Sequence, residues 1–123
     1  MFTVSEEFLN KGAAYKAVFM LDQLEKAHLA KQKDVVAMAP DRDTALELKQ
    51  NIIDSIEEYN HNQTGTMENS IGVRKMGDEY GVTAIDYAKY VNGYDREETG
   101  TGFIDDAVNQ TILETGEDVI LLV

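Results

Sequence analysis

The chain contains a single proline, Pro40, between Ala39 and Asp41. Proline locks its own φ, lacks a backbone donor and pushes the preceding residue out of the α region. A helix therefore has to stop at this point and another has to start after it. Upstream, Ser5-Glu6-Glu7-Phe8 places a capping hydroxyl ahead of acids in a first turn. Ala13, Ala17, Met20, Leu24 and Ala27 then share one helical face, widened by Tyr15, Val18, Phe19 and Leu21. The pattern predicts a long first helix from Ser5 to Ala37, with the basic stretch Lys26–Lys33 at its C-terminal end. His28 lies within it as a solvated residue.

Downstream, Asp43 or Thr44 is placed to cap a second helix, with Glu47 three residues after Thr44 as in a capping box. Ala45, Leu48, Ile52, Ile56 and Tyr59 fall on one face, and Ile53 broadens it. Asn60-His61-Asn62-Gln63 ends the helix; His61 has no ligand-type neighbour nearby in sequence. Residues 1–63 thus form a helical part, and 64–123 carry the strands, a loop, a last helix and a final strand, all within a single domain.

In that second part, Asn69–Met76 and Glu79–Asp86 read as two strands joined at Gly77-Asp78. Ile71, Val73 and Lys75 share one face, while Tyr80, Val82 and Ala84 alternate with Gly81 and Thr83. Ala88–Val91 is a short helical or extended piece that stops at Asn92-Gly93. Tyr94–Gly102 shows no apolar period and reads as a mobile surface loop. Thr99-Gly100-Thr101-Gly102 lacks the lysine and the strand-to-helix setting of a phosphate cradle. Phe103 opens a third helix in which Phe103, Ala107, Ile112 and Leu113 are available to pack, closed by Gly116. Asp118–Val123 is either a strand of the same sheet or a segment that pairs with a neighbour; the sheet is favoured, because an exposed edge of this composition invites aggregation.

Charge is unevenly divided. Residues 1–40 carry five acids and five lysines, so the whole net charge of −12 sits in residues 41–123. Such a surface repels nucleic acid and anionic membranes. It serves solubility, or an acidic wall facing DNA, or a decoy offered to a basic protein. With no cysteine and two separated histidines, chemistry would have to rest on carboxylates. Glu97-Glu98 and Asp105-Asp106 are adjacent pairs whose side chains diverge. Asp41 and Asp43 lack the glycine and the distant glutamate of a calcium loop. No catalytic group, cofactor or metal site is expected. No signal-type start or membrane-length apolar run is present, so the protein is expected to stay where it is made or to be built into something there.

Several segments in order resemble the tail-completion, or head–tail connector, family of long-tailed phages. Ala39-Pro40 is followed by Thr64-Gly65-Thr66-Met67-Glu68-Asn69-Ser70-Ile71, with Met where the family has Leu. Tyr87-Ala88-Lys89-Tyr90-Val91-Asn92-Gly93 follows, with Asn for Glu, and then Gly102-Phe103-Ile104-Asp105-Asp106-Ala107, without the family's two prolines. The matching positions are Thr64, Gly65, Ser70, Ile71, Tyr87, Ala88, Tyr90, Val91, Gly93, Phe103 and Ala107. A whole helix stands between Ala-Pro and Thr-Gly, where the family usually has a few residues.

The resemblance implies an α+β fold, with a long N-terminal helix and a second helix packed on a small, mostly antiparallel sheet, followed by a C-terminal helix and strand. It implies a non-enzymatic structural subunit that forms a homo-oligomeric ring at the virion neck after assembly in the host cytoplasm. Its partners would be a head connector, tail tube or terminator, with neither specific nucleic-acid binding nor membrane contact. Tyr94, Asp95, Arg96, Glu97, Glu98 and Thr99 would then form the partner loop. The contrasting reading is an acidic DNA mimic of the anti-CRISPR or anti-restriction type. A regulatory or toxin–antitoxin partner is a third.

Overall fold

The computed structural model describes residues 33–123. The predicted helix from Ser5 lies outside the described residues except for its end, and there the expectation fails. Lys33–Ala39 is strand β1, not helix. Val35, Val36, Ala37 and Met38 form a continuous apolar run with two β-branched residues, which suits a strand covered on both sides.

Helix α1 (Arg42–Glu58) begins two residues earlier than expected, because the cap is Asp41. The Thr44 N–H donates to Asp41 Oδ1 at 2.8 Å, and this bond holds the Asp41 carboxyl below its usual range. Thr44 is consequently a buried first-turn residue instead of a cap. The expected apolar face is the observed one: Ala45, Leu48, Ile52 and Ile56 are fully buried and Tyr59 is half-buried against the core.

Gly65, at φ 71°, turns the chain into the short helix α2 (Thr66–Ser70), which replaces the start of the first expected strand. Strands β2 (Gly72–Met76) and β3 (Glu79–Ile85) form the hairpin, with Gly77 at φ 66° in its turn. Helix α3 (Ala88–Thr99) follows, then α4 (Phe103–Thr115) and the two-residue strand β4 (Ile120–Leu121). Gly116 closes α4 in the left-handed conformation, as expected.

The four strands are antiparallel, in the order β2-β3-β1-β4. Residues directly opposite in such pairs share a face. Val73, Val82, Ala37 and Leu121 therefore form one row across the sheet, and Arg74, Gly81, Met38 and Ile120 form the row on the other face. A bulge between Val35 and Ala37 inserts Val36, which is fully buried. The C-terminal segment joins the sheet as favoured, with the Leu122 N–H donating to the Val36 carbonyl at 2.9 Å.

Helix α1 lies over the first face and packs lengthwise against α4, so Leu48, Ile52, Ile56, Phe103 and Ile104 fill the space beneath. Of the four α4 residues expected to pack, Phe103 and Ala107 do so. Ile112 is 38% and Leu113 81% exposed, with Leu113 on the rim of an open groove between α1 and α4. Ser70 joins the short helix to the sheet: its hydroxyl donates to the Met67 carbonyl at 2.7 Å and accepts from the Ile85 N–H at 3.0 Å. Among the described residues no helix is long and apolar enough to cross a membrane.

Truncating Ile52 to alanine should cost about 2–5 kcal/mol, since it opens a cavity between α1 and the sheet. Ser70→Ala should cost about 1–3 kcal/mol by leaving a buried N–H unpaired. Urea titrations of both variants would show lower midpoints with unchanged slopes.

Candidate functional site

Helix α3 is the largest departure from the sequence expectation in the second half of the chain. The segment Tyr94–Thr99, expected as a mobile loop, is its C-terminal half, and Asn92-Gly93 lies inside the helix instead of ending it. Gly100, at φ 89°, is where the helix stops, with its N–H bonded to the Arg96 carbonyl at 2.9 Å. The cause is a buried face that is largely polar. Ala88, Asn92 and Asp95 fall at i, i+4 and i+7, with relative exposures of 0, 0 and 5%.

Asn92 is the hinge of this packing. Its Oδ1 accepts the Ile104 N–H at 2.8 Å, and its Nδ2 donates to Asp105 Oδ1 at 3.1 Å. The otherwise orphaned Ile104 N–H at the start of α4 is satisfied in this way, and the Asp105 carboxylate gains a donor. Gly102 permits the approach: a Cβ there would stand 2.7 Å from the Asn92 carbonyl oxygen. Asp105 also accepts from Arg96 Nε at 2.8 Å, Arg96 Nη2 at 2.6 Å and the Gly102 N–H at 2.9 Å. Arg96 reaches further, donating to the Val123 carbonyl at 3.1 Å.

A second polar junction forms beside it. His61, solitary in sequence, brings Nε2 to 2.8 Å from Asp95 Oδ2 and sets its ring edge-on to Phe103, with centroids 5.3 Å apart. Tyr59 donates to Asp106, and its hydroxyl also lies 3.3 Å from the Thr101 carbonyl. Burial, then the Asp106 carboxylate, pushes the Tyr59 hydroxyl up to about 12. The adjacent acids of α4 do diverge as expected, Asp105 towards α3 and Asp106 towards α1. Sequence reading missed these pairs because each joins residues far apart in the chain. The signal that was present is Asn92 and Asp95 at helical spacing from Ala88.

Of the six residues expected to reach a partner, the structure commits three to the fold. Asp95 is buried against His61, Arg96 is bound to Asp105, and Thr99 donates to the Asp95 carbonyl at 2.9 Å. Tyr94, Glu97 and Glu98 remain exposed. Tyr90, one turn before Tyr94, is the most exposed tyrosine of the helix, and Lys89 Nζ lies 5.3 Å from its ring centroid while bonded to Asp34 at 3.1 Å. The outward face of α3 therefore presents tyrosines followed by carboxylates at i, i+4, i+7 and i+8.

Most other motif positions act inside the fold. Gly65 supplies the left-handed turn, Thr64 Oγ1 accepts the Thr66 N–H at 3.3 Å, and Ser70, Ile71, Ala88, Phe103 and Ala107 are buried. Tyr87 and Val91 are half-buried against the core.

A separate groove of about 570 Å³ runs between α1 and α4, lined by polar and acidic side chains including Asn51, Asp54, Glu58, Asp106, Gln110 and Glu114. At its end the Glu114 carboxyl, hydrogen-bonded to Glu47, raises the Glu47 proton affinity. Among the described residues no three His, Cys, Asp or Glu side chains converge as a metal-ligand set.

Asp105 generates a prediction with a definite sign. Burial raises its carboxyl, but Arg96, the Gly102 N–H and Asn92 together outweigh that and leave it below the usual range. The unfolded chain then takes up the proton first on acidification. The stabilisation is fully present above about pH 4 and is lost as pH falls below it. Asp105→Asn should flatten the acid limb of a stability–pH profile measured by thermal melts. Asn92→Ala should cost about 1–3 kcal/mol at neutral pH through the unpaired Ile104 N–H.

No family model, curated protein or solved structure matches the chain.

Proposed function

We propose that this chain is a structural subunit of a tailed-phage neck, forming a ring through which DNA passes between head connector and tail tube. The observation that carries the reading is the placement of the family-like positions. Ser70, Ala88, Phe103 and Ala107 are buried at junctions between packed elements, and Gly65 supplies the left-handed turn into α2. Residues at such junctions determine how the elements pack, so their joint occurrence in order supports a shared architecture. An α+β fold with an antiparallel four-stranded sheet is consistent with it.

The charge distribution gives this reading a mechanism. All of the net −12 lies in residues 41–123, and a lumen lined by Asp and Glu offers DNA phosphates no counter-charge. The genome can then slide without being held. Glu97 and Glu98 are exposed on α3 and so are available to a neighbour or a lumen.

A second reading is supported by the groove between α1 and α4. Asp54, Glu58, Asp106 and Glu114 line it, and Glu47 adjoins it, a concentration of carboxylates that suits a DNA mimic blocking a basic enzyme. Its binding would fall steeply with salt.

Mass spectrometry of purified virions from the source phage tests the first reading. Several copies per particle are expected. Absence from particles, together with expression early in infection, would discard the neck role and favour the mimic. In the same phage, Glu97→Lys with Glu98→Lys should lower infectivity while the purified variant keeps the parental circular dichroism spectrum.

A further inference from the structure

We propose that the outward face of α3 is a docking surface for an arginine-bearing segment of a basic protein. The proposal does not depend on where the chain works, since it rests on this face alone.

Two independent features point to it. The first is a pair of tyrosines one turn apart, 71 and 62% exposed, on a helix whose other side is fully engaged. Exposed aromatic pairs of this kind are enriched at protein interfaces, where a rigid ring supplies area at little entropic cost. One turn further on, Glu97 and Glu98 are exposed and have no ion-pair partner among the described residues.

The second feature is Gly93. It lies in the helix interior, three residues after Tyr90 and four before Glu97, where glycine costs stability relative to alanine. Among the described residues nothing calls for it. Its φ is not positive, and an added Cβ would meet no atom within 4 Å. A half-buried helix glycine that no described neighbour requires, set between Tyr90 and Glu97, leaves the backbone open to close approach from outside.

The chemistry of the surface selects the partner. Tyrosine faces attract cations, and Lys89 already lies over Tyr90. Carboxylates at the next turn add charge complementarity, within a region that holds all of the net negative charge. A planar guanidinium can stack on Tyr94 and pair in bidentate fashion with Glu97 or Glu98. A lysine ammonium can do only the electrostatic part. Arginine is therefore preferred over lysine at equal charge.

Isothermal titration of the full chain with a short peptide alternating arginine and alanine, and with its lysine counterpart, tests the proposal. The arginine peptide should bind about fivefold tighter or more. Tyr90→Ala with Tyr94→Ala should erase that preference while leaving the charge-driven binding common to both peptides. Gly93→Ala should raise Tm yet weaken binding of the arginine peptide, so that loss of fold cannot explain the loss of affinity. Equal affinity for the two peptides would overturn the proposal, as would an unchanged preference in the double-tyrosine variant. Undiminished arginine-peptide binding by Gly93→Ala would overturn the close-approach role of Gly93. A dimer of the wild-type chain that the double-tyrosine variant dissolves would assign the face to a second copy and overturn the choice of partner.

Discussion

The packing of this protein depends on buried polar side chains being paired. An unpaired donor or acceptor away from water costs free energy, so most buried polar side chains find a partner. Here those partners lie on different elements. Ser55 on α1 donates to the Phe103 carbonyl at 2.6 Å, Ser70 bonds the edge of β3, and Asn51 on α1 donates to Thr111 on α4 at 2.9 Å. Asn92 and Asp95 fasten α3 to the start of α4 and to His61. Apolar burial supplies the bulk of the driving force, and these bonds determine which helix sits where.

The same constraint shapes the surface. Because Asn92 and Asp95 turn inward, Tyr90, Tyr94, Glu97 and Glu98 have to turn outward along the opposite side of α3. The exposed tyrosines are a consequence of the register that the polar junction imposes, and the half-buried Gly93 lies between them in sequence. Acidic residues are concentrated elsewhere too, along the groove between α1 and α4. The molecule thus presents two kinds of negative surface: one in which carboxylates stand among amide side chains, the other interleaved with aromatic rings. They suit different neighbours, since a carboxylate track resembles a phosphate track whereas an aromatic–acid stripe favours guanidinium.

Where the sequence was legible, one signal dominated. Ala45, Leu48, Ile52 and Ile56 repeat at helical spacing with no competing period, and α1 has the expected face. The β2–β3 hairpin was equally clear, because Val73 and Val82 alternate with smaller or polar residues around a glycine turn. Helix α4 was read from Phe103 to Gly116 for the same reason. The failures came where two signals overlapped. Val35 to Met38 continued an apolar pattern that had begun as helical, and a short apolar run does not distinguish strand from helix. Asn92, Gly93 and Asp95 are loop-favouring residues by local propensity, and their tertiary partners override that preference.

By itself, the amino-acid order determined the break at Pro40, the faces of α1 and the hairpin, and the location of the negative charge. Each of these follows from local sterics, periodicity or composition, which act between near neighbours in the chain. Only the tertiary structure decided that Lys33–Ala39 is a strand between β3 and β4, that Tyr94–Thr99 is helical, and that His61 pairs with Asp95. Those outcomes rest on backbone and side-chain hydrogen bonds between residues that lie on different elements. Such bonds are worth forming only once the core has brought their partners together and excluded water.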